Sequence, residues 1–275
     1  MTESNVSVKE LTDVKPTNHA KASVCFTNHI IEIVITEKRS NYLHNFKKVN
    51  GNMYVDKRTG EVREYSEHGF INKNRSFTRL RRYVNANFTG KQNEVFVTLT
   101  YSYPQFNRSQ VSADMKNFWK RFKYRYKNCE YISIIEPHKS GAWHIHMLIK
   151  DMNKRYLWIN KNKCCSIWKH GNIKIERIKK NDNIGAYFTA LCKSDSETES
   201  KSSRLKYYPK YSKVFSHSSN IRKPIYKIMS YENAMKLVEN HNECFSKTIG
   251  IFDDNEQVNT IFYKQYNSKR NRKGE

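Results

Sequence analysis

Two apolar runs, "EYISIIE" (130–136) and "AWHIHMLIK" (142–150), are separated only by the five residues "PHKSG". Parallel strands need a crossover of a dozen or more residues, so these two must turn back on each other as an antiparallel hairpin. Whatever the chain folds into is built around that ribbon. Just before it, "EVFVTLTY" (94–101) is rich in β-branched and aromatic residues and reads as a buried strand. Helices alternate with these strands. In "NRSFTRLRRYVNANFTG", Phe77, Leu80, Val84 and Phe88 fall at helical spacing, with Ser76 or Asn74 to cap the start and Gly90 to end it. "SADMKNFWKRFKYRYKN" predicts a second helix with Met115, Phe118, Trp119, Phe122 and Tyr126 on its inner side. After the hairpin come "KCCSIWKHG", a short helix with a glycine stop, "NIKIERI", an alternating strand, and "NDNIGAYFTALCK", a helix capped by Asn181 or Asp182. From Glu94 onward the order is β-α-β-β-α-β-α, which predicts an α+β fold.

The rest of the chain is less regular. Residues 1–70 read as an N-terminal appendage holding the strand-like "HIIEIVITEK" and a possible hairpin in "MYVDKRTGEVREY". Residues 71–225 form the core, and 226–275 a C-terminal extension with a short helix in "SYENAMKLVEN", a strand pair in "KTIGIF" and "VNTIFYKQY", and the basic tail "SKRNRKGE". With 275 residues, 37% hydrophobic, the chain has enough apolar surface for a substantial core. Its 50 Lys and Arg against 26 Asp and Glu give a formal charge of +24, which calls for a polyanionic partner, nucleic acid ahead of an anionic membrane surface. The N-terminus lacks the apolar core of a signal peptide, and no run approaches the ~18 apolar residues that cross a bilayer. Six cysteines without paired spacing fit a reducing compartment, so a soluble cytoplasmic protein is expected.

In a strand, alternate residues share a face, so His144 and His146 project together with Cα atoms roughly 7 Å apart. Such a pair also arises on a face that is simply solvated. Glu136, at the end of the partner strand, changes the balance, because the short turn brings its carboxylate beside the imidazoles. Two histidines and a carboxylate leave coordination positions open and suit Mn²⁺ or Mg²⁺ holding a phosphate oxygen. His138, in the turn, is a weaker substitute for Glu136. Ile145, Met147 and Ile149 then face the core.

"EVFVTLTY", "YISIIEPHKSGAWHIHMLI" and "IWKHGNIKIERIKKNDNIGAYFTALCK" resemble, in that order, the three motifs of the HUH endonucleases, specifically the rolling-circle replication initiator (Rep) proteins of bacterial plasmids and filamentous-type phages. The resemblance runs from about Arg75 to Pro224 and takes in "SRLKYYP" and "IRKP". It implies a central antiparallel sheet of about five strands flanked by helices, an RRM-like palm, with the metal-binding histidines on a central strand. It also implies a tyrosine nucleophile on the helix after the last motif strand, which here is Tyr187. A phenol of pKa about 10 is a weak nucleophile at neutral pH and needs a phosphodiester already polarised and held in line. Attack leaves a 5′-phosphotyrosine and a free 3′-OH for a polymerase, and the step can run backwards to rejoin strands. Many relatives carry a second tyrosine four positions after the first or a lysine three after it; here those positions are Leu191 and Ala190. Lys193 is left to supply charge near the scissile phosphate, or to be a solvated helix-end lysine. A second cleavage then falls to a second subunit, an activated water, or a tyrosine such as Tyr207 or Tyr208.

Single-stranded DNA is held by basic grooves and aromatic platforms. "LKYYPKYSK" has that composition, making Lys206, Tyr207, Tyr208 and Lys210 candidates; "KYRYK" shares it, but its aromatics also sit at core spacing. Arg79 and Arg82 either contact origin DNA or solvate a helix. "CCSIWKH" lacks the C-x-x-C spacing of a zinc site, and Trp168 within it reads as core. The expected activity is metal-dependent, sequence-specific nicking and rejoining of single-stranded DNA at a replication origin in a bacterial host. A single-tyrosine transposase or mobilisation relaxase would use the same parts. A non-catalytic nucleic-acid-binding regulator, or a zinc hydrolase, would not need Tyr187. The chain has no G-x-x-x-x-G-K-[ST], so a host helicase and polymerase are implied partners.

Overall fold

A computed structural model of the chain describes residues 6–37, 46–50, 53–56, 60, 62–64, 68–137, 140–178, 181–191, 208, 212–253 and 256–270. The N-terminal segment contributes β1 (Val6–Leu11), β2 (Lys21–Phe26), β3 (Ile30–Thr36), β4 (Phe46–Asn50), β5 (Met53–Asp56) and β6 (Val62–Glu64). The middle gives α1 (His68–Asn87), β7 (Glu94–Tyr101), α2 (Arg108–Arg125), β8 (Cys129–Pro137), β9 (Trp143–Asp151), α3 (Lys161–Trp168), β10 (Gly171–Arg177), α4 (Ile184–Leu191) and β11 (Phe215–His217). Then follow β12 (Ile225–Ser230), α5 (Tyr231–Leu237), β13 (Asn242–Asp253) and β14 (Glu256–Asn267). The chain divides into two compact units: 67–223, and a second made of 1–66 together with 224–275.

The 67–223 unit is α+β. Its five strands lie in the order β10-β7-β9-β8-β11, all neighbours antiparallel, so the histidine-bearing β9 is central. The hairpin pairs Glu136 with His144 and Ile134 with His146, which sends Ile145, Met147 and Ile149 to the opposite face, where all three are fully buried. Helices cover both faces. On the side away from the histidines, Met115 of α2 meets the Ser133 hydroxyl, and Trp168 of α3 donates to the Thr100 carbonyl at 3.1 Å. On the histidine side, Phe188 of α4 packs edge-on against Phe96, and Tyr83 of α1 packs against Phe215 and His217.

Several local expectations are corrected. Helix α1 begins at His68, so Asn74 and Ser76 lie inside it instead of capping it; Phe70 extends the spacing of Phe77 two turns upstream. Helix α3 stops because Lys169 turns left-handed at φ 68, and Gly171 instead opens β10. A Cβ at Gly171 would sit 2.3 Å from the Thr100 carbonyl oxygen, so only glycine lets β10 approach β7 there. The cap of α4 is Asn183, whose side chain accepts from the Ala186 N–H at 2.9 Å, with Asn181 in turn accepting from the Asn183 N–H. Strand β11 has no counterpart among the strands the sequence predicts.

In the second unit the supposed appendage and extension interleave in one antiparallel sheet, β1-β13-β14-β3-β2-β12. Helix α5, capped by the Ser230 hydroxyl, buries Ala234 and Val238 in a cluster with Ala22, Val24, Ile33 and Phe262. Strands β4, β5 and β6 form a separate three-stranded sheet, with β5 and β6 paired across Gly60 at φ 74. No helix among the described residues is long and apolar enough to cross a membrane. The cysteines described, Cys25, Cys129, Cys164, Cys165 and Cys244, are all free thiols. Burial pushes Cys164 up to about 12, and a thiol held protonated is a poor zinc ligand.

Candidate active site

The central hairpin brings two of the three expected metal donors into contact. His146 Nε2 lies 2.8 Å from Glu136 Oε2, and Nδ1 lies 3.2 Å from the Thr98 hydroxyl, which β7 places directly opposite His146 in register. The ring also stacks on Phe96, with centroids 5.7 Å apart and planes 10° from parallel. Glu136 is only 3% exposed, and a carboxylate buried that deeply is costly without a partner; His146 supplies one. With Nδ1 occupied by a hydroxyl, Nε2 is the nitrogen aimed at the carboxylate. This is the arrangement of a ligand imidazole oriented from behind by a second group. Thr98 escapes a reading of the sequence because nothing in "TLT" marks it; only the β7–β9 register brings it to His146.

His144 occupies the register position facing Glu136, on the same side of the sheet. It is half-buried and lines a cavity of about 230 Å³ with Thr100, Tyr101, Tyr103, Gln105 and Trp143. Among the described residues, no three His, Cys, Asp or Glu side chains gather closely enough to hold an ion. Glu136 and His146 therefore fit a divalent ion in donor type and contact, while His144 stands beside them without closing the set. His138 lies outside the described residues.

Helix α4 is clamped to α1 by contacts far apart in sequence. Asn85 accepts from the Gly185 N–H at 2.7 Å and donates to Asn183 Oδ1 at 3.0 Å. A Cβ at Gly185 would lie 2.3 Å from the Arg81 carbonyl oxygen, so glycine is what permits this approach. A line of ring contacts then leads from Phe188 through Phe96 to His146. Tyr187, half-buried, precedes Phe188 on the same turn. Gly185→Ala should cost about 1–3 kcal/mol by overpacking and shift α4 with its tyrosine; urea unfolding measures the first effect and DNA cleavage the second.

The other candidates separate. Arg79 is exposed, its guanidinium 5.7 Å above the Tyr83 ring, and Arg82 is half-buried. Tyr208 is corrected: it is 2% exposed and packs edge-on against Phe77 and Trp143, so its ring belongs to the core and offers no face to a base. Lys193, Lys206, Tyr207 and Lys210 lie outside the described residues.

Residues 94–196 match the family model of the replication-associated protein of the ORF2 type. No curated protein matches the chain. Among solved structures, the N-terminal nuclease domain of minute virus of mice non-structural protein 1, described with Zn²⁺ in its active site pocket, aligns at 11% identity over 80% of this chain and 76% of that one. Its TM-score is 0.16, too low to bear on fold or ligand here.

Proposed function

We propose, on the premise that residues 94–196 are a segment of the replication-associated protein family, that the chain initiates rolling-circle replication by nicking and rejoining single-stranded DNA. The observation that carries this reading is the Glu136–His146 contact on the central strand, with α4 and Tyr187 held over the same face of the sheet. Glu136, His146 and His144 would hold Mn²⁺ or Mg²⁺, which when bound would draw charge from a non-bridging phosphate oxygen. Thr98 and Phe96 fix the His146 ring from two sides. Tyr187 supplies the phenolic oxygen: its bond to phosphorus forms as the P–O3′ bond breaks, and the net proton transfer is from phenol to the departing 3′ oxygen. The +24 charge supports binding to DNA phosphates.

The test uses the full chain with labelled single-stranded DNA covering its own gene and flanks, in Mn²⁺ or in chelator, resolved on a denaturing gel. A protein-linked 5′ fragment formed only with metal is the expected result. A second reading, a DNA-binding regulator without catalysis, draws on the lack of a closed three-donor set among the described residues. Binding without an adduct on any strand would establish that reading in place of the first. A single-tyrosine transposase or relaxase would give the same adduct on a different DNA.

A further inference from the structure

The segment that leaves β9 has two large aromatic side chains facing solvent on an immobilised backbone. Tyr156 is 53% and Trp158 64% exposed, while Leu157 between them and Ile159 after them are buried in the core. The main chain is pinned: the Leu157 N–H donates to the Gln92 carbonyl at 3.0 Å, and the N–H groups of Asn153 and Lys154 donate to the Asp151 carboxylate. Arg177 ties the segment further, donating to the carbonyls of Gln92 and Leu157, and its guanidinium lies 4.2 Å above the Tyr156 ring. One face of Tyr156 is thus capped by a cation already in place.

Charge around the rings is of one sign. From Met152 to Ile175 the sequence carries Lys154, Arg155, Lys161, Lys163, Lys169 and Lys174 and no acidic residue. Glu176, the next carboxylate along the chain, is paired with Lys174 at 3.0 Å. Exposed aromatic faces at alternate positions, held rigid and surrounded by an excess of cations, are what unpaired bases with a phosphate backbone require. Duplex DNA would offer the phosphates but no free base faces.

We propose that Tyr156 and Trp158, flanked by Lys154, Arg155 and Arg177, form a stacking platform for single-stranded DNA, distinct from the histidine site. Asp151 is seven residues beyond His144 along β9, roughly 23 Å of strand, so the platform would grip the strand several nucleotides away from the bond being cut. That the strand is DNA and not RNA rests on the replication reading; the binding itself does not, since it needs neither metal nor Tyr187.

The experiment measures anisotropy of a labelled thymidine oligonucleotide with the full chain in chelator, where no cutting occurs. Trp158→Ala and Tyr156→Ala should each weaken binding roughly 5- to 150-fold, the loss of one stacked base. Trp158→Phe, which keeps a π face, should retain most of the affinity, and Trp158→Leu, which keeps only bulk, should not. Wild-type tryptophan fluorescence should quench on binding, and Trp158→Phe should lose that part of the signal. Unchanged affinity in both alanine variants overturns the proposal, as does an equal loss on a duplex of the same length. So does a change in self-association on sedimentation, which would assign the rings to a second copy of the chain. Failure of the nicking assay leaves these binding measurements standing.

Discussion

Tyr187→Phe yields no protein-linked DNA, a loss on the order of a thousandfold or more, while binding to the same strand stays within a factor of about two. The substitution removes one oxygen and keeps the ring, so a half-buried side chain next to Phe188 retains its packing and α4 keeps its seat on α1. The clamp on α4 runs through Asn85, Asn183 and Gly185, none of which the substitution touches. A melting temperature near wild type, read alongside the gel, therefore separates lost chemistry from lost fold. An adduct that survives Tyr187→Phe would keep the enzyme and move the nucleophile to another tyrosine. Burial of Tyr208 removes the nearest such alternative among the described residues that the sequence offered.

The second large effect falls on the carboxylate. Glu136→Gln keeps shape and hydrogen-bonding capacity toward His146 but removes the charge, so Mn²⁺ affinity measured by titration calorimetry should fall by more than about 100-fold, with nicking falling in parallel. His146→Ala is harsher on the fold. It leaves the Glu136 carboxylate buried without its imidazole, at a cost of about 1–3 kcal/mol in unfolding free energy. Thr98→Val, which removes only the hydroxyl behind His146 Nδ1, should reduce metal affinity about 10- to 100-fold without that penalty. Should Glu136→Gln bind Mn²⁺ and nick as wild type does, the carboxylate is no ligand and the site has to be rebuilt around other donors.

What the sequence made legible follows from range. Strands β7, β8, β9 and β10 announce themselves through local runs of β-branched and aromatic residues, and the five-residue turn fixed the pairing of β8 with β9. Period two and that turn were enough to put Glu136, His144 and His146 on one face. Strand β11 is only three residues of mixed character, "FSH", and exists because β8 offers it an edge. Strand β2, "KASVCF", escapes notice because Ala, Ser and Lys mask its alternation, although Ala22 and Val24 are wholly buried. Tyr208 sits among lysines and a proline, which reads as surface; its packing on Phe77 joins residues more than a hundred positions apart. The Asn85–Asn183 bond, 98 residues long in sequence, is invisible for the same reason. Tyr156 and Trp158 could have been found, since "YLWI" alternates exposed and buried residues, but Arg177 over Tyr156 could not.

The interleaved sheet of the second unit has a consequence for synthesis. Strands β13 and β14 stand between β1 and β3, so the order in which the ribosome delivers the chain is not the order in which that sheet can close. Residues 67–223 emerge whole while the early strands are still waiting for neighbours some two hundred positions downstream. Domains generally fold as units as they are made. The nuclease-like unit can therefore assemble first, with the open edges of β1, β2 and β3 left for a chaperone to shield until Asn267 has been added.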